Sequence, residues 1–385
     1  MMRFFTSLLF SILLAGCSAA LDREAFTVTR YQLEVQIDRP SHVMAVTGRL
    51  TLRNDSRAPQ KNVALQISSS LSWNGIAFNG KPIEWIGNDY TSDIDHTGRL
   101  SEAIATLPKG VLPSGTIELD VQYGGTVTPD ATRLTRMGAP EAMALRSDWD
   151  QISESFTAIR GLGYVVWYPV SIPAVSMSDG NAVFEAIDTW KLRHQRSELQ
   201  AHVSIISGNA KLCIAGNATV SACGELGETS DPRSGELTTQ ISNRIYLNGL
   251  GRSVPAFAVA DYAKLDRPAI VVFHTPDNSS LAKDYAAAAE ANEPMLNEWL
   301  PPSSRQTVAI IELTDPNANP YQSGAVLFTP LRESHESTLA LLLMPGAGRC
   351  PFLVVASMDR GRVAAVSASD KCRAPLRTQS GIAIS

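Results

Sequence analysis

After its N-terminus, the sequence lacks any apolar run long enough to cross a membrane as a helix. The uncharged apolar run at residues 4–15 has about twelve residues, whereas a spanning helix needs about twenty. Arg3 precedes this run and small residues follow it, which is the layout of a secretory signal. We therefore expect residues 1–20 to be a targeting signal and the remainder to be exported.

Clustered positive charge is also lacking. The chain has 33 Lys and Arg against 38 Asp and Glu, a formal net charge of −5 at pH 7, and its basic residues are scattered. A nucleic-acid-binding surface needs a basic patch or stripe. We therefore expect no nucleic-acid partner.

Several catalytic motifs are missing as well. There is no Gly-x-Ser-x-Gly and no glycine-rich phosphate loop, and the cysteines have no neighbouring base. In the only His-Glu pair, His335-Glu336, Leu339 stands where a zinc-binding His-Glu-x-x-His motif needs its second histidine. The sequence therefore favours a chain with no catalytic residues and no metal ligands. The other histidines are dispersed: His42, His96, His194, His202 and His274.

Five cysteines indicate both a lipid anchor and a disulfide. Leu14-Ala15-Gly16-Cys17 resembles the lipobox of bacterial lipoproteins, in which the cysteine becomes the first residue and carries the lipid. The alternative is cleavage after Ala19 or Ala20 and release into the periplasm. If Cys17 carries lipid, four cysteines remain in an oxidising compartment, and we expect a disulfide between Cys213 and Cys223, across a short turn. The other two are Cys350 and Cys372.

Residues 26–125 alternate apolar and polar side chains in short runs separated by Gly, Pro, Asn and Asp. This period of two predicts antiparallel strands with one face in a core, and Asn79-Gly80 predicts a hairpin turn. Residues 164–169 and 183–205 appear strand-like too. We expect residues 21–250 to form stacked antiparallel sheets, a saddle-like sandwich.

After residue 250 the pattern changes to a mixture of strands and helices. We expect strands at residues 269–273, 308–313 and 325–328, and helices at residues 279–299 and 334–344. Residues 251–344 therefore form the start of an α/β unit, and residues 345–385 form an atypical tail.

This order resembles that of the aminopeptidase N-like zinc metallopeptidases. The resemblance implies a saddle β-domain followed by the first part of a thermolysin-like catalytic domain. Four segments look like landmarks of the saddle domain: residues 31–35, 48–50 and 121–125, and Trp167-Tyr168-Pro169.

The resemblance also implies a site, which this chain has only in part. The family binds zinc through His-Glu-x-x-His and a downstream glutamate, and its Gly-x-Met-Glu-Asn strand binds the substrate amine through the glutamate. Gly324-Ala325 occupies the start of that strand, but Leu327 stands at the glutamate position. Glu154 matches a second amine-binding position.

The tail suggests a frameshift. Read one base along, Met358-Asp359 must encode tryptophan, and the following codons permit a segment resembling the one that carries the family's third zinc ligand. The shift cannot restore the two histidines. We hypothesise that residues beyond about 344 are a frameshifted replacement for the catalytic helices, which the gene's nucleotide sequence would test.

Three functions are compatible with the sequence. The first is an exported, truncated or catalytically incompetent relative of zinc aminopeptidases, which would bind zinc if its motif were complete. The second is a non-catalytic envelope lipoprotein that binds peptides or envelope proteins through its β-sandwich and the bilayer through its lipid. The third is a different hydrolase.

Overall fold

The structure, a computed structural model, describes residues 21–207, 211–217, 222–225, 228–230, 237–268, 270–299, 307–332, 339–344 and 352–357. The predicted signal at residues 1–20 and its Cys17 lie outside these ranges. So do His335 and Glu336, Cys350 and Cys372, and most of the predicted tail.

Strands dominate the described chain. The strands of the first part are β1 (Phe26–Asp38), β2 (Val43–Asn54), β3 (Gln60–Ser68), β4 (Leu71–Phe78), β5 (Lys81–Pro82), β6 (Trp85–Thr91), β7 (Arg99–Val111), β8 (Thr116–Thr126), β9 (Phe156–Ile159), β10 (Glu198–Ser207), β11 (Lys211–Gly216), β12 (Ala222–Glu225), β13 (Glu228–Ser230) and β14 (Leu237–Asn248). The later strands are β15 (Phe257–Ala260), β16 (Ala263–Asp266), β17 (Ile270–His274), β18 (Val308–Glu312), β19 (Tyr321–Ser323), β20 (Val326–Thr329), β21 (Leu339–Met344) and β22 (Phe352–Ser357). The helices are α1 (Thr132–Arg136), α2 (Glu141–Ser147), α3 (Ala182–Arg193) and α4 (Ser279–Trp299), and a 3₁₀ turn spans Pro276–Asn278.

Two stacked sheets form the first part of the molecule, as the period-two pattern predicts. An eight-stranded sheet has the order β13-β14-β10-β1-β2-β8-β4-β5, and a three-stranded sheet has the order β3-β7-β6. Neighbouring strands are antiparallel except β1 and β10, which are parallel. Alternate β1 side chains, from Tyr31 to Ile37, face a core that also contains Val63 and Leu65 of β3. The stacked antiparallel sheets are therefore present.

The Asn79-Gly80 hairpin is present too. These residues connect β4 to β5 with φ angles of 53° and 73°. Two consecutive positive φ angles are the requirement of the tight hairpin turn that Asn-Gly favours.

The strand predicted at residues 164–169 is wrong. Val166 and Trp167 lie in the core without joining a strand ladder. The Tyr123 hydroxyl donates to the Trp167 carbonyl at 3.0 Å, and the Tyr31 hydroxyl donates to the Pro169 carbonyl at 2.9 Å. Side chains thus satisfy carbonyls that a neighbouring strand would otherwise bind.

The strand reading of residues 183–205 is wrong in its first half. Helix α3 covers Ala182–Arg193, and only β10 that follows is a strand. Val183 and Trp190, seven residues apart, are the buried residues of α3. A spacing of seven places both on one helix face, which is a helical period rather than a strand period.

A third sheet, of the order β12-β11-β15-β9, packs against a fourth, of the order β16-β17-β18-β20-β19. Their shared core includes Trp149, Ala258, Ile311 and Phe328. Strand β15 lies beyond residue 250 yet pairs with β9 and β11, so the change from one set of sheets to the other falls between Ala260 and Ala263.

The predicted strand-helix-strand unit is present after residue 260. Strands β17, β18 and β20 are parallel, and α4 connects β17 to β18. Ala282 and Ala286 of α4 pack with Val272 and Ile310 on the face of the sheet away from β15. The spacing of four puts both alanines on one face of the helix. In the described part of the chain, no helix combines the length and apolarity needed to span a membrane.

The helix predicted at residues 334–344 is wrong in the part that the structure describes. Residues Leu339–Met344 form β21, which pairs antiparallel with β22. Both segments are short continuous apolar runs, for which periodicity does not separate helix from strand. The structure also gives the tail one regular element, β22.

Candidate functional site

Glu154 lies in the exposed loop that leads into β9, and a buried arginine holds the backbone of this loop. Arg39 donates from Nε to the Ser153 carbonyl at 2.9 Å, from Nη2 to the Glu154 carbonyl, and from Nη1 to the Ser207 hydroxyl at 3.3 Å. Burial lowers the pKa of Arg39 to about 10, although the charge of Glu154 acts in the opposite direction. Arg39 therefore remains a cation at neutral pH and fixes the loop.

Gly324 and Ala325 form the turn between β19 and β20. Gly324 has a φ of +57°, which glycine adopts without strain. The Ala309 amide donates to the Ala325 carbonyl at 2.9 Å, which ties the turn to β18. On the other side, the Ser323 hydroxyl donates to the Val254 carbonyl at 2.6 Å.

The structure does not bring Glu154 and Gly324 together. Gly324 lies beside Ser253, since a Cβ added to it would be 3.5 Å from the Ser253 Cβ. Glu154 lies two residues before Phe156, which pairs with Ala260. The two positions are therefore at opposite ends of β15, which spans about 10 Å at the usual strand rise.

The glutamate position of the resemblance also lacks a polar group. Leu327 lies on β20 opposite Ile310 and Gln322 and is 7% exposed. A buried leucine cannot pair with an ammonium group, because it offers no acceptor. Within β20 this residue contributes to packing.

The main polar constellation of this region is one that sequence reasoning missed. We call Arg133, Asp148, Asp150 and Arg160 the buried charge cluster; the four residues are at most 5% exposed. Arg160 binds Asp150 through Nε at 2.9 Å and Nη2 at 2.6 Å, and Arg133 binds Asp148 at 3.0 Å. Two cations face two anions, so the cluster is balanced.

Aromatic rings surround Arg160 of the buried charge cluster. Its guanidinium carbon lies 3.7 Å from the Trp149 ring centre, 3.5 Å from that of Tyr164 and 5.3 Å from that of Tyr321. Cation–π contacts of this kind are favourable, particularly where water is excluded. Because Arg160 directly follows β9 and Tyr321 belongs to β19, this arginine joins the two packed sheets.

A buried loop borders the cluster. Asp95 accepts hydrogen bonds from the Ser68 hydroxyl at 3.0 Å and the Val166 amide at 2.9 Å, and burial raises its pKa. Burial also raises the pKa of Asp148, although Arg133 opposes the effect. Among the described residues, neither ring nitrogen of His96 has a hydrogen-bond partner, and the closest carboxylate oxygen, of Asp95, is 3.9 Å away.

These groups can hold segments together, but they do not face a substrate. His96, Asp95 and Asp148 are fully buried. The only sequence feature that pointed to these buried polar groups was the run Asp93-Ile94-Asp95-His96. Acidic and imidazole side chains usually indicate an exposed loop, so the run did not predict burial. Arg133 helps to bury this run, because its guanidinium donates to the Asp93 carbonyl at 2.9 Å and to the Gly163 carbonyl at 2.7 Å.

One shallow depression of about 330 Å³ lies elsewhere, on the outer face of the eight-stranded sheet. Gly48 is one of its lining residues, but there is no free space for a side chain at this position, since an added Cβ would lie 2.5 Å from the Gln32 carbonyl oxygen and 2.6 Å from Leu33 Cδ2. The lining residues are Gln32, Thr47, Gly48, Arg49, Asp120, Val121 and Gln122.

Two sequence-predicted features concern cysteines and metals. Cys213 and Cys223 face each other on β11 and β12 and are joined by a disulfide, the pair named from the sequence. Within the described ranges, no group of three or more His, Cys, Asp or Glu side chains is arranged to hold a metal ion.

Comparison with known proteins gave structural neighbours only. No protein-family model and no curated protein sequence matches the chain. An M1 zinc metallopeptidase from Deinococcus radiodurans superposes with a TM-score of 0.42 and 14% identity, over 81% of this chain and 62% of that one. A variant from the same organism, bound to a Tyr-Ser-Ala substrate, gives a TM-score of 0.40 and 15% identity, over 80% of this chain and 62% of its own. The chain thus spans less than two thirds of the length of these neighbours.

Proposed function

We propose that this chain is an exported relative of zinc aminopeptidases that does not hydrolyse peptides. The observation that carries the proposal is Leu327, a buried leucine at the position where the resemblance requires the amine-binding glutamate. An aminopeptidase selects a free N-terminus by pairing its ammonium with carboxylates, and a buried aliphatic side chain cannot do this.

The second amine-binding position supports the same proposal. Glu154 is at the end of β15 away from Gly324, in a loop whose carbonyls bind Arg39. The chain itself thus supplies a cation, Arg39, close to Glu154. A substrate amine bound there would be far from the strand that should align the peptide.

The zinc-binding position supports it as well. His-Glu-x-x-His works because a spacing of four puts both imidazoles on one helix face. Leu339 stands at the second histidine position, and it begins strand β21. Both the residue type and the local conformation therefore differ from what zinc binding requires.

Hydrolysis of aminoacyl-nitroanilides by the purified mature chain tests this proposal. We expect no release of nitroaniline above that of a heat-denatured sample, with or without added zinc. Turnover that is abolished by Glu154→Gln and unaffected by a distant exposed change such as Glu34→Gln would contradict it.

A second candidate function is a non-catalytic envelope binding protein. The depression at Gly48 favours it, because its lining includes the amides of Gln32 and Gln122. Amides and charged groups on an exposed sheet can bind a polar ligand or a peptide backbone. Saturable binding of a peptide, weakened by Gln32→Ala with Gln122→Ala and unaffected by exposed Gln36→Ala, would support this candidate.

We also propose that the chain is lipid-anchored at Cys17 and faces the periplasm. The proposal rests on the lipobox-like residues 14–17 and on the signal layout before them. Mass spectrometry of the mature N-terminus tests it. A diacylated Cys17 is the expected result, whereas an N-terminus that follows Ala19 or Ala20 would contradict it.

A further inference from the structure

The described chain is fixed to the body of the molecule almost from its first residue. Arg23 donates from Nε to Glu102 Oε1 at 2.7 Å and from Nη2 to Oε2 at 3.1 Å, and Glu102 is 1% exposed. The guanidinium carbon of Arg23 also lies 4.7 Å from the centre of the Tyr90 ring. A two-point contact with a buried carboxylate fixes both position and orientation.

The next residue adds a second attachment. The carboxylate of Glu24 accepts a hydrogen bond from Arg193 Nη1 at 3.0 Å, and Arg193 Nη2 donates to the Thr27 hydroxyl at 2.9 Å. Arg193 is the last residue of α3. Residues 23 and 24 are thus bound to different elements, β7 and α3, which prevents the N-terminal segment from swinging away.

A lipid on Cys17 would therefore have a short tether. Six residue steps separate Cys17 from Arg23, and they span at most about 22 Å when fully extended. A compact chain of this length has a radius of gyration of about 21 Å. The tether reaches only the surface around Arg23 and cannot reach around the molecule.

The surface around Arg23 is the outer face of the three-stranded sheet β3-β7-β6. Tyr90, which Arg23 covers, lies on β6, and Ile86 lies four residues earlier on the same face of that strand. Ile86 is 66% exposed and lies opposite the half-buried Ile104 of β7. Four strand residues cover about 13 Å, so Ile86 lies within the reach of the tether.

We propose that the outer face of the three-stranded sheet lies against the bilayer surface when Cys17 carries its lipid, with Ile86 in contact with the lipid. This inference rests on the lipid attachment proposed above and does not depend on whether the chain hydrolyses peptides. The outer face of the eight-stranded sheet, on the other side of the shared core, then faces the periplasm with its depression at Gly48 accessible.

Site-specific photo-crosslinking of the full chain in isolated bacterial membranes tests this orientation. A benzophenone amino acid replaces Ile86 in one sample and Gln36 in another. Gln36 is exposed on the outer face of the eight-stranded sheet, ten residues along β1 from Phe26, or about 33 Å at the usual strand rise. Irradiation should produce phospholipid adducts at position 86 and only background at position 36.

Two further variants separate the anchor from the tether. Cys17→Ser should abolish the adduct at position 86. Arg23→Ala with Glu102→Gln and Glu24→Ala, which removes both side-chain attachments of the segment without leaving a buried unpaired carboxylate, should reduce the preference for position 86 over position 36. Equal adducts at both positions in the unaltered background, or an adduct at position 86 that survives Cys17→Ser, would overturn the proposal. A mature N-terminus after Ala19 or Ala20 would overturn it too, without bearing on hydrolysis.

Discussion

His194 shows how one buried side chain sets the pH dependence of stability. Its ring stacks on Trp190 at 4.2 Å, and its Nδ1 lies 2.8 Å from the Trp190 carbonyl. Burial lowers the pKa of His194 to about 4, against about 6.5 for a free histidine. Between these two values the unfolded chain takes up a proton that the folded chain does not. The free energy of unfolding therefore falls as the pH decreases from about 6.5 to about 4.

The predicted size of this effect is about 3 kcal/mol, since each pKa unit corresponds to about 1.4 kcal/mol. Urea unfolding of the unaltered chain and of His194→Gln at pH 7 and pH 4 measures it. The unaltered chain should lose about 3 kcal/mol more than the variant. Asp95 and Asp148 have raised pKa values and therefore stabilise the fold as the pH falls. Their contribution is the same in the unaltered chain and in His194→Gln, so the difference between the two losses excludes it. Equal losses in the unaltered chain and His194→Gln, or an equally reduced loss in the partly exposed control His202→Gln, would contradict the assignment to His194.

Arg160 and Asp150 make a second prediction at this scale. Removing one member of a buried ion pair leaves an unpaired charge, which costs about 3–5 kcal/mol. We expect Arg160→Leu to lower the free energy of unfolding by that amount, because Asp150 is fully buried. The double variant with Asp150→Asn should be more stable than Arg160→Leu alone. A double variant at least as destabilised as the single one would show that lost packing, not charge, dominates.

The buried charge cluster marks the limit of prediction from sequence at the residue scale. Nothing local distinguishes Asp148 or His96 from the many exposed polar residues of this chain. Their burial depends on Arg133 and on segments that are distant in sequence. The cysteine pair was accessible to sequence reasoning because only a short turn separates Cys213 from Cys223.

At the scale of elements, two glycines on strands of the eight-stranded sheet form a matched pair. A Cβ added to Gly48 on β2 would lie 2.5 Å from the Gln32 carbonyl oxygen of β1, and backbone cannot move aside within a paired sheet. A Cβ added to Gly75 on β4 would meet only the flexible end of Gln122, at 3.6 Å. Gly48→Ala should therefore cost about 1–3 kcal/mol, the usual range for overpacking.

Gly75→Ala should change the free energy of unfolding by less than Gly48→Ala, and thermal or urea unfolding of both variants measures the difference. If both substitutions cost the same, close approach of β1 and β2 at Gly48 would not explain the effect.

Element types were predictable where a pattern repeated over many residues. The period of two in β1 and the alanine-rich α4 gave the correct type. Short apolar segments did not, as β21 shows, because six consecutive apolar residues fit a buried strand or a helix equally well. Residues 164–169 failed for another reason: their carbonyls bind the hydroxyls of Tyr31 and Tyr123, and no sequence period records such contacts.

At the scale of the whole molecule, packed sheets tie the two parts of the chain together. Trp149 donates to the Asn319 carbonyl at 3.0 Å, and its ring centre lies 6.1 Å from that of Phe328. Arg160 adds its contact with Tyr321 across the same boundary. The strands after residue 260 thus share a core with β9, β11 and β15. The later part of the chain therefore packs against the earlier part, although the resemblance implies only the first part of a catalytic domain.

The proposal that this chain has no zinc site can be tested at one position. Leu339→His provides the sharpest version of the question, because it completes His335-Glu336-x-x-His in sequence while residue 339 belongs to a strand. If residues 335–339 formed a helix, the new histidine at position 339 would share a helix face with His335. The variant would then bind zinc.

The most direct measurement is the zinc content of the purified mature chain and of Leu339→His, after incubation with zinc and dialysis. We expect substoichiometric zinc in both, because residue 339 lies on a strand, whereas His-Glu-x-x-His needs both imidazoles on one helix face. One zinc ion per chain in the unaltered protein would contradict the proposal that it has no zinc site. Zinc bound stoichiometrically by the variant alone would contradict the strand assignment at Leu339.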